Sequence, residues 1–305
     1  MGVLVRRSIL PVVAVIVAAV VAGASQRQLF RSGVEVITVA ATVRDRDGRL
    51  VKGLEREAFE VYDDGERQPI TQFTKDRVPI SLGVLLDISD SMFGQRIKDA
   101  RAAVDRFLLD LLTPSDEFFL LAFNHAPHIL TRWTNSPAVV RQALDGLRPQ
   151  GGTAEYDAIL AALPLLERRS KPRASLVLIT DGADTASDAK LRDVRATLLQ
   201  NDAFVYAIAI DPPDQMPINT RVNLVALRDV TDSGGGRTEV ARNSDDLIAA
   251  TAGIVEELNS QYVLGYNTPR PLDGQFHSIR VRVIGTEYRV QARKGYVATP
   301  LPRRK

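Results

Sequence analysis

Residues 80–88 read ISLGVLLDI, a nearly uninterrupted apolar run that ends beside a carboxylate. Strands of a parallel sheet have this composition when helices cover both faces of the sheet. Similar runs recur at residues 118–123, 175–180 and 204–210, and apolar residues at helical spacing lie between them. Buried strands that alternate with amphipathic helices predict a doubly wound α/β domain with a mostly parallel sheet over residues 78–257.

The segments on either side of this domain have a different pattern. Residues 33–76 partly alternate apolar and polar side chains and contain the turn sequences DRDG and DDG. The tail, residues 258–298, alternates valine and isoleucine with arginine from Ile279 onward, and Gly285-Thr286 predicts a tight turn between two strands. We therefore expect a hairpin whose arginines face solvent, and a small discontinuous β domain in which the tail strands pair with the N-terminal segment.

The N-terminus has the layout of a secretory signal peptide. Arg6 and Arg7 precede an apolar run over residues 9–22, and Ala22-Gly23-Ala24 offers the small residues of a cleavage site. The run is shorter than the roughly 20 residues that a spanning helix needs. We expect residues 1–24 to direct export to the periplasm, the cell envelope or the medium. An uncleaved N-terminal anchor is the alternative, and it would be the expected membrane contact.

Composition excludes several classes of function. The chain has 39 basic and 37 acidic residues among 305, so it lacks the concentrated positive charge of nucleic-acid-binding proteins, and no nucleic acid partner is expected. It contains no cysteine, which excludes disulfides, Cys-ligated zinc and thiol catalysis. Carboxylates and hydroxyls remain as the groups most able to carry chemistry.

Such groups follow the predicted strands. Asp87 is followed by hydroxyls at spacings of two and four, Ser89 and Ser91, where the first buried strand ends. Asp181 ends a later strand, and a glycine loop presents Thr153 before a helix. Ligands of open α/β sheets bind at the carboxyl ends of the strands. Mg²⁺ and Mn²⁺ prefer oxygen ligands in an octahedron. The pattern therefore predicts a site for Mg²⁺ (or Mn²⁺) built from these five residues.

These five residues, in this order, resemble the metal-ion-dependent adhesion site of von Willebrand factor A-type domains. The flanking sequences LVKGLEREAFEVYDDGE (50–66), QYVLGY (261–266) and ARKGYVA (292–298) resemble a bacterial family related to these domains, whose members are frequently exported. The resemblance implies a binding or adhesion module, not an enzyme. It also implies that a protein or surface ligand supplies an Asp or Glu carboxylate to complete the octahedron.

Two other functions remain open. The chain could be a structural or assembly module with a non-functional metal site, or a magnesium-dependent phosphatase-like hydrolase. The hydrolase would need a second aspartate two residues after Asp87 as general acid, and that position is Ser89. Beside the site, Asp90 is expected to point away from the metal, with a supporting role next to the ligands as the alternative. Glu155 is expected to face solvent, with competition for the metal as the alternative. His125 and His128 are expected on a connection between strands, with no role in metal binding.

Overall fold

The structure, a computed structural model, describes residues 36–110, 113–211, 222–271, 273–285 and 287–298. The predicted signal segment, residues 1–24, lies outside these ranges. All described residues belong to one compact unit, residues 34–305. Among them, no helix is both long and apolar enough to cross a membrane.

Strands and helices alternate in the centre of the chain, whereas strands predominate before and after it. The strands, numbered along the chain, are β1 (Val36–Arg44), β2 (Phe59–Asp63), β3 (Glu66–Gln68), β4 (Ile70–Thr74), β5 (Ile80–Asp87), β6 (Glu117–Phe123), β7 (Pro127–Thr134), β8 (Arg173–Thr180), β9 (Phe204–Ile210), β10 (Thr238–Ala241), β11 (Tyr262–Asn267), β12 (Phe276–Val283), β13 (Arg289–Ala292) and β14 (Gly295–Val297). The helices are α1 (Gln95–Asp110), α2 (Pro137–Asp145), α3 (Glu155–Leu166), α4 (Leu191–Leu198), α5 (Leu224–Ser233) and α6 (Ser244–Asn259).

The central sheet has the strand order β10-β9-β8-β5-β6-β7. All neighbouring pairs in it are parallel except β6 and β7, so β7 is an antiparallel edge strand. Every residue of β5 and β8 is buried. The predicted α/β fold with a mostly parallel sheet is confirmed.

Helices cover both faces of this sheet. Side chains such as Leu82 and Val84 pack in one hydrophobic cluster with α1, α2 and α6. Leu85 and Leu176 pack in a second cluster with α3, α4 and α5. Because successive strand residues point to opposite faces, a sheet covered on both sides needs apolar side chains at consecutive positions. This is why the central strands read as continuous apolar runs.

Two four-stranded sheets flank the central domain, with the orders β13-β1-β11-β4 and β14-β12-β2-β3. Strands from before and after the α/β region pair in both: β1 with β11 and β13, and β2 with β12. Their apolar faces share one core, which includes Val39, Val61, Leu264 and Val281. The tail thus pairs with the N-terminal segment as expected, while the division into domains at residues 33–76, 78–257 and 258–298 stays a prediction.

The hairpin expected at Gly285-Thr286 is not formed. Strands β12 and β13 follow each other in the chain, but β12 pairs with β2 and β14, whereas β13 pairs with β1 in the other sheet. The alternating pattern predicts a strand and its buried face but does not select the partner strand. Here pairing with β1 gives that strand a neighbour on its second edge. Thr286 lies outside the described residues.

The glycines at residues 234–236 serve close packing in the loop between α5 and β10. A Cβ at Gly236 would overlap the backbone carbonyl of Val205, which cannot swing aside as a side chain can. We expect Gly236→Ala to lower the free energy of unfolding by about 1–3 kcal/mol, in the range of overpacked cores. Urea denaturation measures it. Gly253→Ala, inside α6 with only an arginine side chain nearby, is the control and should be neutral or stabilising. An equal change in the free energy of unfolding for both variants would contradict the prediction.

Candidate metal centre

Asp87 is held rigidly at the carboxyl end of β5. It is fully buried. Its Oδ1 accepts a hydrogen bond from the backbone N–H of Ser89 at 2.8 Å, and its Oδ2 accepts one from the hydroxyl of Thr180 at 2.6 Å. Thr180 ends β8, the parallel neighbour of β5, so two adjacent strand ends fix this carboxylate. One donor comes from the turn and one from the next strand.

The two serines and the second aspartate form a chain of hydrogen bonds beside it. The Ser91 hydroxyl donates to Asp181 Oδ1 at 2.6 Å, and the Ser89 and Ser91 hydroxyl oxygens lie 3.0 Å apart. After β5 the chain enters a short 3-10 turn, Asp90–Met92, which brings both hydroxyls to the same edge of the sheet. Asp90 itself is exposed, in agreement with its expected orientation away from the other side chains.

Thr153 is brought to this edge by its backbone. The N–H of Asp90 donates to the carbonyl of Gly151 at 3.0 Å, and the N–H of Gln150 donates to the carbonyl of Ile88 at 2.8 Å. Gly151 has φ +79°, a conformation that favours glycine. Thr153 is buried, and in the described part of the chain its hydroxyl makes no hydrogen bond to the other four predicted ligands. The structure therefore gathers the five residues at one edge, four of them linked by hydrogen bonds.

The site has an excess of buried negative charge. Burial raises the pKa of Asp87 to about 6, and the nearby Asp181 contributes to the rise. Burial also raises the pKa of Asp181, while the Ser91 hydroxyl and the Arg96 guanidinium oppose that rise. Arg96 Nη1 lies 3.2 Å from Asp181 Oδ2. Arg96 was not identified from the sequence, because its place as the second residue of α1 gives no sign that it reaches this carboxylate.

Glu155 does not face solvent as expected. It is only 3% exposed, and its Oε1 has no hydrogen-bond partner among the described residues. Burial raises the pKa of Glu155 well above its usual value, and Asp184 and Asp87 raise it further. Polar residues that begin a helix usually meet water. Here the buried loop through Thr153 carries the first residue of α3 inward, and the sequence holds no signal for that.

Glu155 should therefore cost stability in the absence of a cation. We expect Glu155→Leu to raise the free energy of unfolding by about 1–3 kcal/mol in EDTA, because a buried polar group without a partner costs that much. Urea denaturation at neutral pH measures this change in the free energy of unfolding. Glu167→Leu, at the exposed opposite end of α3, should change stability by less than about 0.5 kcal/mol. Destabilisation by Glu155→Leu would show that this carboxyl group has a stabilising partner.

The donor set fits a hard divalent cation. Asp87 and Asp181 supply charged oxygens, and Ser89, Ser91 and Thr153 supply neutral ones, which are the ligand types that Mg²⁺ and Mn²⁺ prefer. Three buried carboxyl groups stand near each other when Glu155 is included, and two of their oxygens, Glu155 Oε1 and Asp181 Oδ2, accept no hydrogen bond from a described residue. A cation would remove the electrostatic cost of this arrangement.

The histidines and a second acidic group are not among the predicted ligands. His125 lies on the connection between β6 and β7, as expected, beside Gly151. His128 was expected on the same connection but lies within β7. In the flanking sheets, ligand atoms of Asp63, Asp64 and His277 lie within 4.8 Å of one another. Arg270 Nε is 3.5 Å from Asp63 Oδ1 and 3.6 Å from Asp64 Oδ2, so a side-chain cation already lies beside both carboxylates.

Known proteins match the central part of the chain. Residues 82–183 match the family described as von Willebrand factor type A domain. Inter-alpha-trypsin inhibitor heavy chain H4 of Bos taurus is 32% identical over 123 residues, which make up 36% of this chain and 13% of that protein. The minor fimbrium subunit Mfa5 of Porphyromonas gingivalis is 28% identical over 116 residues, 35% of this chain and 9% of that protein. The chain thus spans a small part of these relatives.

A solved structure supports the fold. The von Willebrand factor type A protein from Catenulispora acidiphila superimposes with a TM-score of 0.51 at 13% sequence identity, over 88% of this chain and 75% of that one. At this level of identity the likeness concerns the fold alone. It extends beyond the central sheet, because the α/β region by itself is a smaller share of the chain.

Proposed function

This chain contains a von Willebrand factor type A domain, and from that we propose that it is an exported binding module which captures a partner's carboxylate through a divalent cation. Asp87, Ser89, Ser91, Thr153 and Asp181 would hold Mg²⁺ or Mn²⁺. The partner would be a protein or surface ligand that offers an Asp or Glu side chain.

The convergence of Asp87, Ser89, Ser91 and Asp181 carries this proposal. These residues lie at one edge of the sheet and are linked by hydrogen bonds of 2.6–3.0 Å, of which the bond to Asp87 comes from the backbone N–H of Ser89. Five ligands leave one position of an octahedron for water or a foreign oxygen. When bound, the cation would supply a Lewis-acid position for that oxygen. Three of the five ligands are neutral, so the ion would keep enough positive charge to favour an anion.

The surrounding residues support binding without catalysis. Thr180 and the backbone of Ser89 fix Asp87, so its carboxylate is oriented before any ligand arrives. At the position two residues after Asp87, where a phosphatase of the aspartate-nucleophile type needs an acid, the Ser89 hydroxyl is engaged with Ser91. Mfa5, a minor fimbrium subunit, is similar to 35% of the chain. A place in the cell envelope or outside the cell is consistent with that relative and with the predicted signal segment.

A surface coated with glutarate tests the proposal directly. We expect the purified protein to be retained on this surface in Mg²⁺ or Mn²⁺, but not in EDTA and not on a surface capped with ethanolamine. Asp87→Ala should abolish the retention, because it removes a charged ligand. Asp90→Ala, which removes an exposed carboxylate from the same turn, should leave it unchanged. Retention that survives EDTA, or that is lost equally in both variants, would reject metal-dependent capture.

A further inference from the structure

One lateral edge of β12 is covered along only part of its length. On one side β12 pairs with β2 from Ile279 to Val283. On the other side β14 pairs with residues 276–278 alone, and the last bond runs from the Ile279 N–H to the Lys294 carbonyl at 2.8 Å. Beyond Ile279, no described strand pairs with this side of β12. An uncovered strand edge presents backbone donors and acceptors to another chain.

The hydrogen-bond pattern identifies the backbone groups that face this edge. The Ile284 N–H donates to the carbonyl of Ala58, just before β2, and the Ser278 carbonyl accepts from the N–H of Asp64, just after β2. The even-numbered residues of β12 between them therefore bond to β2. Antiparallel strands direct alternate residues to opposite sides. The N–H and C=O groups of Val281 and Val283 therefore point to the uncovered side.

A change of sheet by the chain explains why this edge is open. If the pairing of β12 with β14 continued in the same register toward β13, Ala292 would lie opposite Val281 and Val290 would lie opposite Val283. Both Ala292 and Val290 pair with β1 instead. The chain crosses from one sheet to the other after Ala292, and the two consecutive strands remain splayed apart.

Two cavities lie between the splayed strands. One, of about 540 Å³, is lined by the apolar side chains of Val281, Val283, Ile284, Tyr288 and Val290 and by the charged side chains of Glu60 and Arg282. The other, of about 480 Å³, has a basic lining that includes Arg280, Arg289, Arg293 and Lys294. Arg44 and Arg237 also line the second cavity, but both are paired with the buried Glu257.

The positive charges along this edge outnumber the acidic groups that pair with them. Arg280 and Arg289 are exposed, and neither makes an ion pair with a described residue. Arg293 has a buried Nε without a hydrogen-bond partner in the described part of the chain. Each cavity has one acidic residue in its lining: Asp232, whose carboxylate lies 3.8 Å from the Lys294 ammonium, and Glu60, which is paired with Arg67. The edge therefore favours a negatively charged occupant.

We propose that the open edge of β12 at Val281 and Val283 is a docking site for an extended acidic segment of a partner protein, which adds to the sheet as a strand. Strand addition gives affinity through backbone hydrogen bonds and specificity through alternate side chains. This site is separate from the metal centre and does not depend on the metal-dependent function proposed above.

The faces of β12 define the sequence pattern of the partner. The side chains of Ile279, Val281 and Val283 point into the core, whereas Arg280 and Arg282 point to solvent. Cross-strand neighbours lie on the same face and interact directly. A segment that alternates apolar and acidic residues would place its apolar side chains toward the cavity and its carboxylates beside the arginines.

A capped ten-residue peptide that alternates valine and glutamate is a suitable probe. Hydrogen exchange of the protein is measured with and without this peptide, always in EDTA so that the metal centre cannot bind its carboxylates. We expect slower exchange at the Val281 and Val283 amides. The amides of Arg280 and Arg282 should not change, because they already bond to β2. Absence of protection, or equal protection of all four amides, would overturn strand addition.

Charge reversal tests whether the docking site prefers an acidic segment. The pair Arg280→Glu with Arg289→Glu should weaken binding of the valine–glutamate peptide at least tenfold in fluorescence anisotropy, and should create binding of a valine–lysine peptide. The control pair, Arg132→Glu with Arg228→Glu, makes the same change in net charge at exposed positions away from this edge. An equal loss in the control pair would show attraction to overall charge and would overturn the site.

Discussion

Glu257→Gln is expected to lower the free energy of unfolding by about 3–5 kcal/mol, the cost of breaking a buried ion pair from one side. Glu257 lies in α6 and is fully buried. Its carboxylate accepts hydrogen bonds from Thr42 Oγ1 at 3.1 Å, Tyr206 Oη at 3.0 Å and Arg44 Nη2 at 2.7 Å, and it also pairs with Arg237. Glutamine keeps the size of the side chain but cannot neutralise two guanidinium groups.

These bonds join separate parts of the fold. Thr42 and Arg44 belong to β1 of a flanking sheet, whereas Tyr206 belongs to β9 of the central sheet. The loss should therefore be visible in urea denaturation of the whole unit. Glu256→Gln is the matched control, because that neighbouring carboxylate pairs with Lys52 where both side chains are more than half exposed. It should cost less than about 1 kcal/mol. A similar cost for both variants would show that Glu257 is not the central acceptor.

Mg²⁺ at a hundred times its dissociation constant is expected to raise the free energy of unfolding by about 2.7 kcal/mol. The physical reason is that the proposed site exists only where folding assembles Asp87, Asp181 and the hydroxyls, and a cation there would neutralise carboxylates that burial has made costly. Asp87→Ala should remove this stabilisation. The measurement is thermal or urea unfolding with added Mg²⁺, with added Mn²⁺ and with EDTA.

The control for this prediction is Asp90→Ala, which should respond to Mg²⁺ as the unaltered protein does, because Asp90 is exposed beside the site. If Asp87→Ala is still stabilised by Mg²⁺, the ion binds elsewhere. The group of Asp63, Asp64 and His277 would then be the next place to test. If neither the unaltered protein nor Asp87→Ala responds while both are folded, the metal centre is non-functional alone, and the assembly-module alternative gains support.

The fold could be predicted from local patterns because the main signals are periodic. The continuous apolar runs of β5 and β8 require cover on both faces, and the helical spacing between the runs supplies that cover. The five predicted ligands could be selected for a related reason. They follow strand ends or precede a helix, and parallel strands bring those ends to one edge. The hydrogen bonds among Asp87, Ser89, Ser91 and Asp181 agree with this expectation.

The environment of each side chain could not be predicted in the same way, because it depends on residues distant in sequence. Glu155 is buried, and Asp184, which lies 29 positions along the chain, raises its pKa further. No local pattern distinguishes Glu155 from a solvated helix start. Arg96 reaches Asp181 only because α1 passes beside the end of β8.

By itself, the sequence determined which segments are strands or helices, which faces they bury and which oxygens stand at the strand ends, since those properties follow from periodicity within a few residues. Only the tertiary structure decided that β13 joins β1 and leaves part of β12 uncovered, and that Glu257 receives bonds from two different sheets. The packing of the whole chain determines which strands pair and which charges are buried, because the free energy gained from one pairing competes with that of every alternative pairing.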